Sequence, residues 1–184
     1  MNINESKNII LVSHCMLNKN SKVKSFYNNY IKEELRKDVI KQMIEKDYGI
    51  IQLPCPEQII YGCKRWGHLK NQFDTPHFRE VCRTEFKPVL DQLVDYINNG
   101  YEIVGLIGID GSPSCGVNLT CTGNWGGEIS NNPIFENIND SILYTKDKGI
   151  LMEEIQSMLL SNNIVIDMIG FREENIEEIY KMIE

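Results

Sequence analysis

Three cysteines occupy matching places in the sequence. Cys15 follows the apolar run IILVSH, Cys55 follows IIQLP, and Cys115 follows LIGIDGSPS. A thiol can pack as a small apolar group, act as a nucleophile, or ligate a soft metal. Their common place just beyond strand-like runs favours a shared role. In an open parallel α/β sheet the carboxyl ends of the strands line one edge, and ligands bind in the crevice there. Structural zinc wants four ligands, commonly in CxxC pairs, and this chain has no CxxC. An iron-sulfur cluster takes thiolates, normally four; with three, one iron of a [4Fe-4S] cluster stays open to a substrate sulfur. A lone cysteine nucleophile with His14, His68 or His77 as base is the other option. His14 is a weak partner for Cys15, because neighbours on an extended chain point to opposite sides.

The elements that must position these thiols follow from hydrophobic periodicity. NIILVSH reads as a buried strand ending near Ser13, GIIQLP from Gly49 as a second, YEIVGLIGI as a third and NIVIDMIG as a fourth. Between them, Ile31, Leu35, Val39, Ile40, Met43 and Ile44 mark an amphipathic helix from about Asn28 to Lys46. Asp74 or Thr75 caps a second helix with Pro76 at its first position, and Pro88 should kink or split it. KGILMEEIQSMLLSNN and EENIEEIYKMI are two more helices. MLNKNSKVKS reads as a loop, CPEQIIYGCKRWGHLKNQFD as an irregular connection with one helical turn, and Asp110 to about Ser141 as a long loop. The alternation predicts a parallel sheet with helices on both faces.

Bulk properties narrow the classes. A chain of 184 residues predicts one domain spanning 1–184, large enough for a core without staples. The net charge of -7 argues against a duplex nucleic-acid binder. No apolar run approaches a membrane span, and MNINESKN lacks the apolar stretch of a signal peptide, so a cytoplasmic location is expected. Six cysteines in a reducing compartment then point to metal binding or catalysis before disulfides.

SHCML, PCPEQ and SPSCG together resemble the three cysteine motifs of the TudS desulfidases, also known as DUF523, over about residues 8 to 170. The resemblance implies a Rossmann-like α/β fold: a parallel sheet of about four to five strands in a three-layer αβα arrangement. It implies a [4Fe-4S] cluster held by Cys15, Cys55 and Cys115, and removal of sulfur from a thiolated pyrimidine base or nucleotide of the 2-thiouracil or 4-thiouridine monophosphate type. By motif, the acidic residue of CPE is Glu57 and the serines of SPSCG are Ser112 and Ser114. The expected chemistry is hydrolytic: Glu57 acts as base on a water, Ser114 or Ser112 relays a proton, and sulfur leaves as hydrogen sulfide. His14, Asn18, NKNSKVKSF and QIIYGCKRWGH depart from the family's pattern around the motifs, which marks a divergent branch.

The remaining candidates are read more plainly. Cys82 belongs to a helix core, while Cys63 or Cys121 could supply a fourth ligand. That would make the protein a non-catalytic iron-sulfur redox or sensor protein with a fully ligated cluster. A substrate phosphate could use backbone N–H groups between Gly111 and Gly116 or a helix N-terminus. Lys64, Arg65 and His68 form a basic cluster read as solvated surface, and Trp66, Trp125 and Tyr27 are read as packing residues. The oligomeric state is not encoded in any recognisable motif.

Overall fold

Short apolar runs rich in β-branched residues form the central strands, as expected for strands covered on both faces. The computed structural model describes residues 6–24, 30–124, 126–128, 130 and 132–184. Tyr27, Trp125 and the helix start expected at Asn28 lie outside them. β1 (Asn8–Val12) runs into a one-turn helix, α1 (His14–Leu17), and a 3-10 turn over Lys19–Ser21. α2 (Tyr30–Glu45) returns to β2 (Gly49–Gln52), and α3 (Pro56–Tyr61) and α4 (Lys70–Phe73) precede the long α5 (Pro76–Asn98). β3 (Glu102–Ile109) is followed by β4 (Thr120–Thr122), a 3-10 segment over Pro133–Ser141, and β5 (Leu143–Thr145). α6 (Ile150–Ser161), β6 (Asp167–Phe171), a 3-10 turn at Glu173–Asn175 and α7 (Ile176–Met182) complete the chain.

The main sheet is parallel with strand order β2-β1-β3-β6. Right-handed crossovers dictate where the helices go. The link from β1 to β2 runs one way, and the links from β2 to β3 and from β3 to β6 run the other. Accordingly α5 and α6 pack together on one face, while α2 and α7 meet on the other. This is the expected three-layer αβα fold. The strand order reverses between β1 and β3, so the switch-point crevice opens above their carboxyl ends. Beneath it Ile10, Leu11, Val12, Leu106 and Ile107 are wholly buried, against Phe78, Phe86 and Leu93 of α5 and Val39 and Met43 of α2. Among the described residues no helix is long and apolar enough to cross a membrane.

Several expectations need correction. Pro88 does not split α5, which runs unbroken from Pro76 to Asn98. Pro88 and Thr84, whose carbonyl loses its partner four residues on, are both exposed, which leaves that carbonyl open to solvent. The fourth strand starts at Asp167, four residues later than the apolar run. Asn163 takes a φ of 58° and Ile164 donates back to the Leu159 carbonyl, so the first part of the run closes α6. The segments read as irregular hold the second half of α1, all of α3 and α4, and β4, which pairs with β5 just past Ser141 in a two-stranded antiparallel ribbon. Strands of three residues are too short for a period to register.

Candidate functional site

Each strand end delivers its cysteine differently. Cys15 lies in α1, whose neighbour Met16 is buried and accepts a hydrogen bond from the Arg36 Nη1 of α2. Gln52 Nε2 donates to the His14 carbonyl at 2.8 Å, and His14 Nδ1 lies 3.3 Å from the Leu53 carbonyl, which clamps α1 to the end of β2. Cys55 is the N-cap residue of α3, with Pro56 at the first helical position and Glu57 next, both buried. Cys115 sits in the loop after β3, its carbonyl accepting from Ile109 N–H at 2.8 Å.

That loop is fixed from inside. Ser112 Oγ accepts from the N–H groups of Ser114 and Cys115, at 3.3 and 3.0 Å. Asp110, buried at the end of β3, accepts through Oδ1 from the N–H groups of Val117, Asn118 and Leu119 at 3.0, 2.9 and 3.3 Å. The loop backbone packs so tightly that a Cβ on Gly116 would lie 2.2 Å from the Leu119 carbonyl oxygen. The first N–H groups of α6 face the loop: Gly149, Ile150 and Met152 donate to the carbonyls of Gly116, Pro113 and Ser114. Gly111, Ser112 and Gly116 also spend their N–H groups on protein carbonyls. The loop expected to cradle a phosphate therefore has its main-chain donors committed, and so have Gly149, Ile150 and Met152 at the start of α6.

The three thiols line a single pocket of about 590 Å³, together with Glu57, Ser112 and Ser114. Glu57 is held at both oxygens. Ser114 Oγ donates to Oε1 at 2.5 Å, and Arg65 Nε donates to Oε2 at 3.2 Å. The same serine hydroxyl lies 3.5 Å from Cys115 Sγ, and Ser112 Oγ lies 3.4 Å from Ser114 Oγ. Hydroxyl, carboxylate and thiol thus form one connected set.

Arg65 corrects the surface reading of the basic cluster. Its side chain is 3 % exposed, and its remaining nitrogens donate to the carbonyls of Gly62 and Ser21 at 3.1 and 2.5 Å. Lys64 is exposed, while His68 stacks between Tyr61 and Phe73, with ring centroids 4.7 and 4.9 Å away. Trp66 is largely exposed and packs no loop. His77 is exposed at the start of α5 and does not line the pocket. Cys82 is buried in the core as expected. Cys63 is exposed and Cys121 is buried on β4, and neither lines the pocket. Sequence reasoning missed Asp110 and also Tyr144, whose ring on β5 overhangs the pocket against Gly111.

Burial pushes Cys15 up to about 11, with Lys22 pulling the other way and Cys55 and Glu57 adding to the rise. Burial also raises Cys55, and it raises Cys115 strongly, with Cys15 and then Glu57 and Cys55 adding to it. The thiols are therefore close enough to feel each other's charge. A bound cation reverses this balance, since it draws protons off its thiol ligands. Among the described residues no group of three His, Cys, Asp or Glu side chains could hold a metal ion. A single ion draws thiolates to about 2.3 Å from one point. Thiolates are the donor type that an iron-sulfur group takes, and all three thiols line the one pocket. All six cysteines are free thiols.

The fold and the pocket define an α/β protein with a thiol-lined site at the switch point of a parallel sheet. The chain is 31% identical over 182 residues to the uncharacterized protein MJ0003 of Methanocaldococcus jannaschii, covering 98% of this chain and 97% of that protein, and it belongs to the same family. No family model matches the sequence. No solved structure matches the chain.

Proposed function

We propose that the protein is an iron-sulfur-dependent desulfidase that hydrolyses a thiolated pyrimidine base or nucleotide, releasing hydrogen sulfide, in the reducing cytoplasm. The observation that carries this reading is the shared pocket of Cys15, Cys55 and Cys115 with a buried carboxylate between two donors. Resemblance to the TudS motifs supports the same chemistry. Cys15, Cys55 and Cys115 would hold a [4Fe-4S] cluster, which supplies an open Lewis-acidic iron for the substrate sulfur. Neither Cys63 nor Cys121 lines the pocket, which favours an open iron over a fully ligated redox or sensor centre.

The chain's own residues supply the acid-base chemistry. Glu57 takes a proton from the water that attacks the thiocarbonyl carbon. Arg65 fixes the carboxylate's orientation from behind, at 3.2 Å. Ser114 lies hydrogen-bonded to the same carboxylate and passes a proton onward to the leaving side of the reaction. Ser112 is a positioning residue: its oxygen organises the backbone that carries Ser114 and Cys115. Overall a C=S bond and water become a C=O bond and hydrogen sulfide, with no external electron donor.

The test is iron content after anaerobic reconstitution of single Cys→Ser variants. Changes at Cys15, Cys55 or Cys115 should each abolish stable iron binding. Changes at Cys63, Cys82 or Cys121 should leave it as in the parent. Loss of iron in the Cys63 or Cys121 variant would instead favour the fully ligated centre.

A further inference from the structure

A second chamber of about 680 Å³ adjoins the pocket, and Asp110, Leu119 and Arg172 line both. The cleft therefore continues along the sheet edge, past the end of β6, to the Lys146–Lys148 segment that leads into α6. Cations are spaced along it. Lys22 and Lys32 line the first chamber, Lys146 and Lys148 the second, and Arg172 belongs to both.

Four of these five cations are half-buried: Lys22, Lys32, Lys148 and Arg172. Burial and the nearby Lys22 loosen the proton of Lys32, Glu173 and Cys15 hold it back, and Arg172 adds to the loosening. The carboxylates nearby are mostly committed. Asp110 accepts from three N–H groups, Asp147 pairs with Lys70, and Glu174 pairs with Arg172 at 2.8 Å. Glu178 stands exposed at the rim, and Glu173, also exposed, acts on Lys32. With the main-chain donors of the loop taken and the Arg172 fork on the Glu174 carboxylate, recognition of an anion falls first to Lys22, Lys146 and Lys148.

We propose that the two chambers form one extended anion cleft, and that its ligand is a nucleotide with a di- or triphosphate chain. The base enters the first chamber, and the phosphates run past Arg172 toward Lys148. The placement of the base rests on the desulfidase reading; the phosphate chain's binding does not.

The experiment is calorimetric titration of the full, anaerobically reconstituted chain with uridine, UMP, UDP and UTP, none of which carries sulfur. Affinity should rise along the series, with UTP at least about tenfold tighter than UMP, the gain expected for added charged hydrogen bonds. A Lys146→Gln, Lys148→Gln double variant should lose that step and keep the affinity for UMP, with an unchanged melting temperature as the check on folding. Equal affinity for UMP and UTP, or a UTP step that survives the double variant, overturns the proposal. If the phosphate step appears while no thiolated pyrimidine releases sulfide, the cleft stands and the desulfidase reading falls. If sulfide is released without a phosphate step, the cleft is wrong and the desulfidase reading stands.

Discussion

Glu57 answers to two demands at once, as base and as partner of a buried guanidinium. Glu57→Ala removes the base and strands Arg65, whose side chain is 3 % exposed. Breaking a buried pair by deleting one partner costs about 3–5 kcal/mol, so this variant should melt well below the parent. Glu57→Gln keeps hydrogen bonding and should keep more stability, while losing about 10²- to 10⁴-fold in turnover. Equal turnover in Glu57→Gln and parent would remove the general base from the account. The two serines separate in the same way. Ser112→Ala gives up two backbone hydrogen bonds and should lower stability by about 1–2 kcal/mol. Ser114→Ala leaves the backbone intact and should act on turnover. Denaturant unfolding and sulfide-release rates on the same pair of variants distinguish these roles. Little of this division was legible in SPSCG, because both serines look alike until the loop closes on Asp110 and on the start of α6.

At the scale of elements, the β4–β5 ribbon and the glycines decide what the pocket becomes. Tyr144 is 66% exposed and lines the pocket beside Gly111, so under the proposed function its ring would stack on the base. Base–aromatic stacking contributes about 1–3 kcal/mol, so Tyr144→Ala should raise KM with kcat nearly unchanged. A fall in kcat at constant KM would contradict that. Gly170 of β6 faces Asp110 so closely that a Cβ would lie 1.9 Å from Oδ1. Gly170→Ala must displace the carboxylate that ties down Val117, Asn118 and Leu119, and with it the Cys115 loop. The strands and their ends were legible because continuous apolar runs admit few alternatives. The ribbon was not, since TCT and LYT carry no period, and Arg65 was not, since its acceptors at Ser21 and Glu57 lie far away in the chain.

Across the whole molecule, an ion-pair network holds α6, and so the Cys115 loop, against the rest of the domain. Lys70 pairs with Asp147 and Glu153, and Arg79 with Asp74, Glu153 and Glu154. The Lys70 ammonium holds Asp147 below the usual carboxylate range. A depressed folded pKa contributes stability above the unfolded value of about 3.9, and that contribution is lost as pH falls through the folded value. Asp147→Asn should thus unfold at lower urea than the parent at pH 7, with the gap closing below about pH 4. A gap of the same size at both pH values would mean that the pair does not matter. At this scale the sequence was most informative: alternation of strands and helices placed three distant cysteines at one sheet edge, and the pocket there is lined by all three.

Sulfide release is the measurement that bears most directly on the central claim. The anaerobically reconstituted chain should liberate hydrogen sulfide from at least one thiolated pyrimidine base or nucleotide, leaving the corresponding carbonyl compound, without added reductant. A protein that carries its full complement of iron and releases no sulfide from any of them would contradict it.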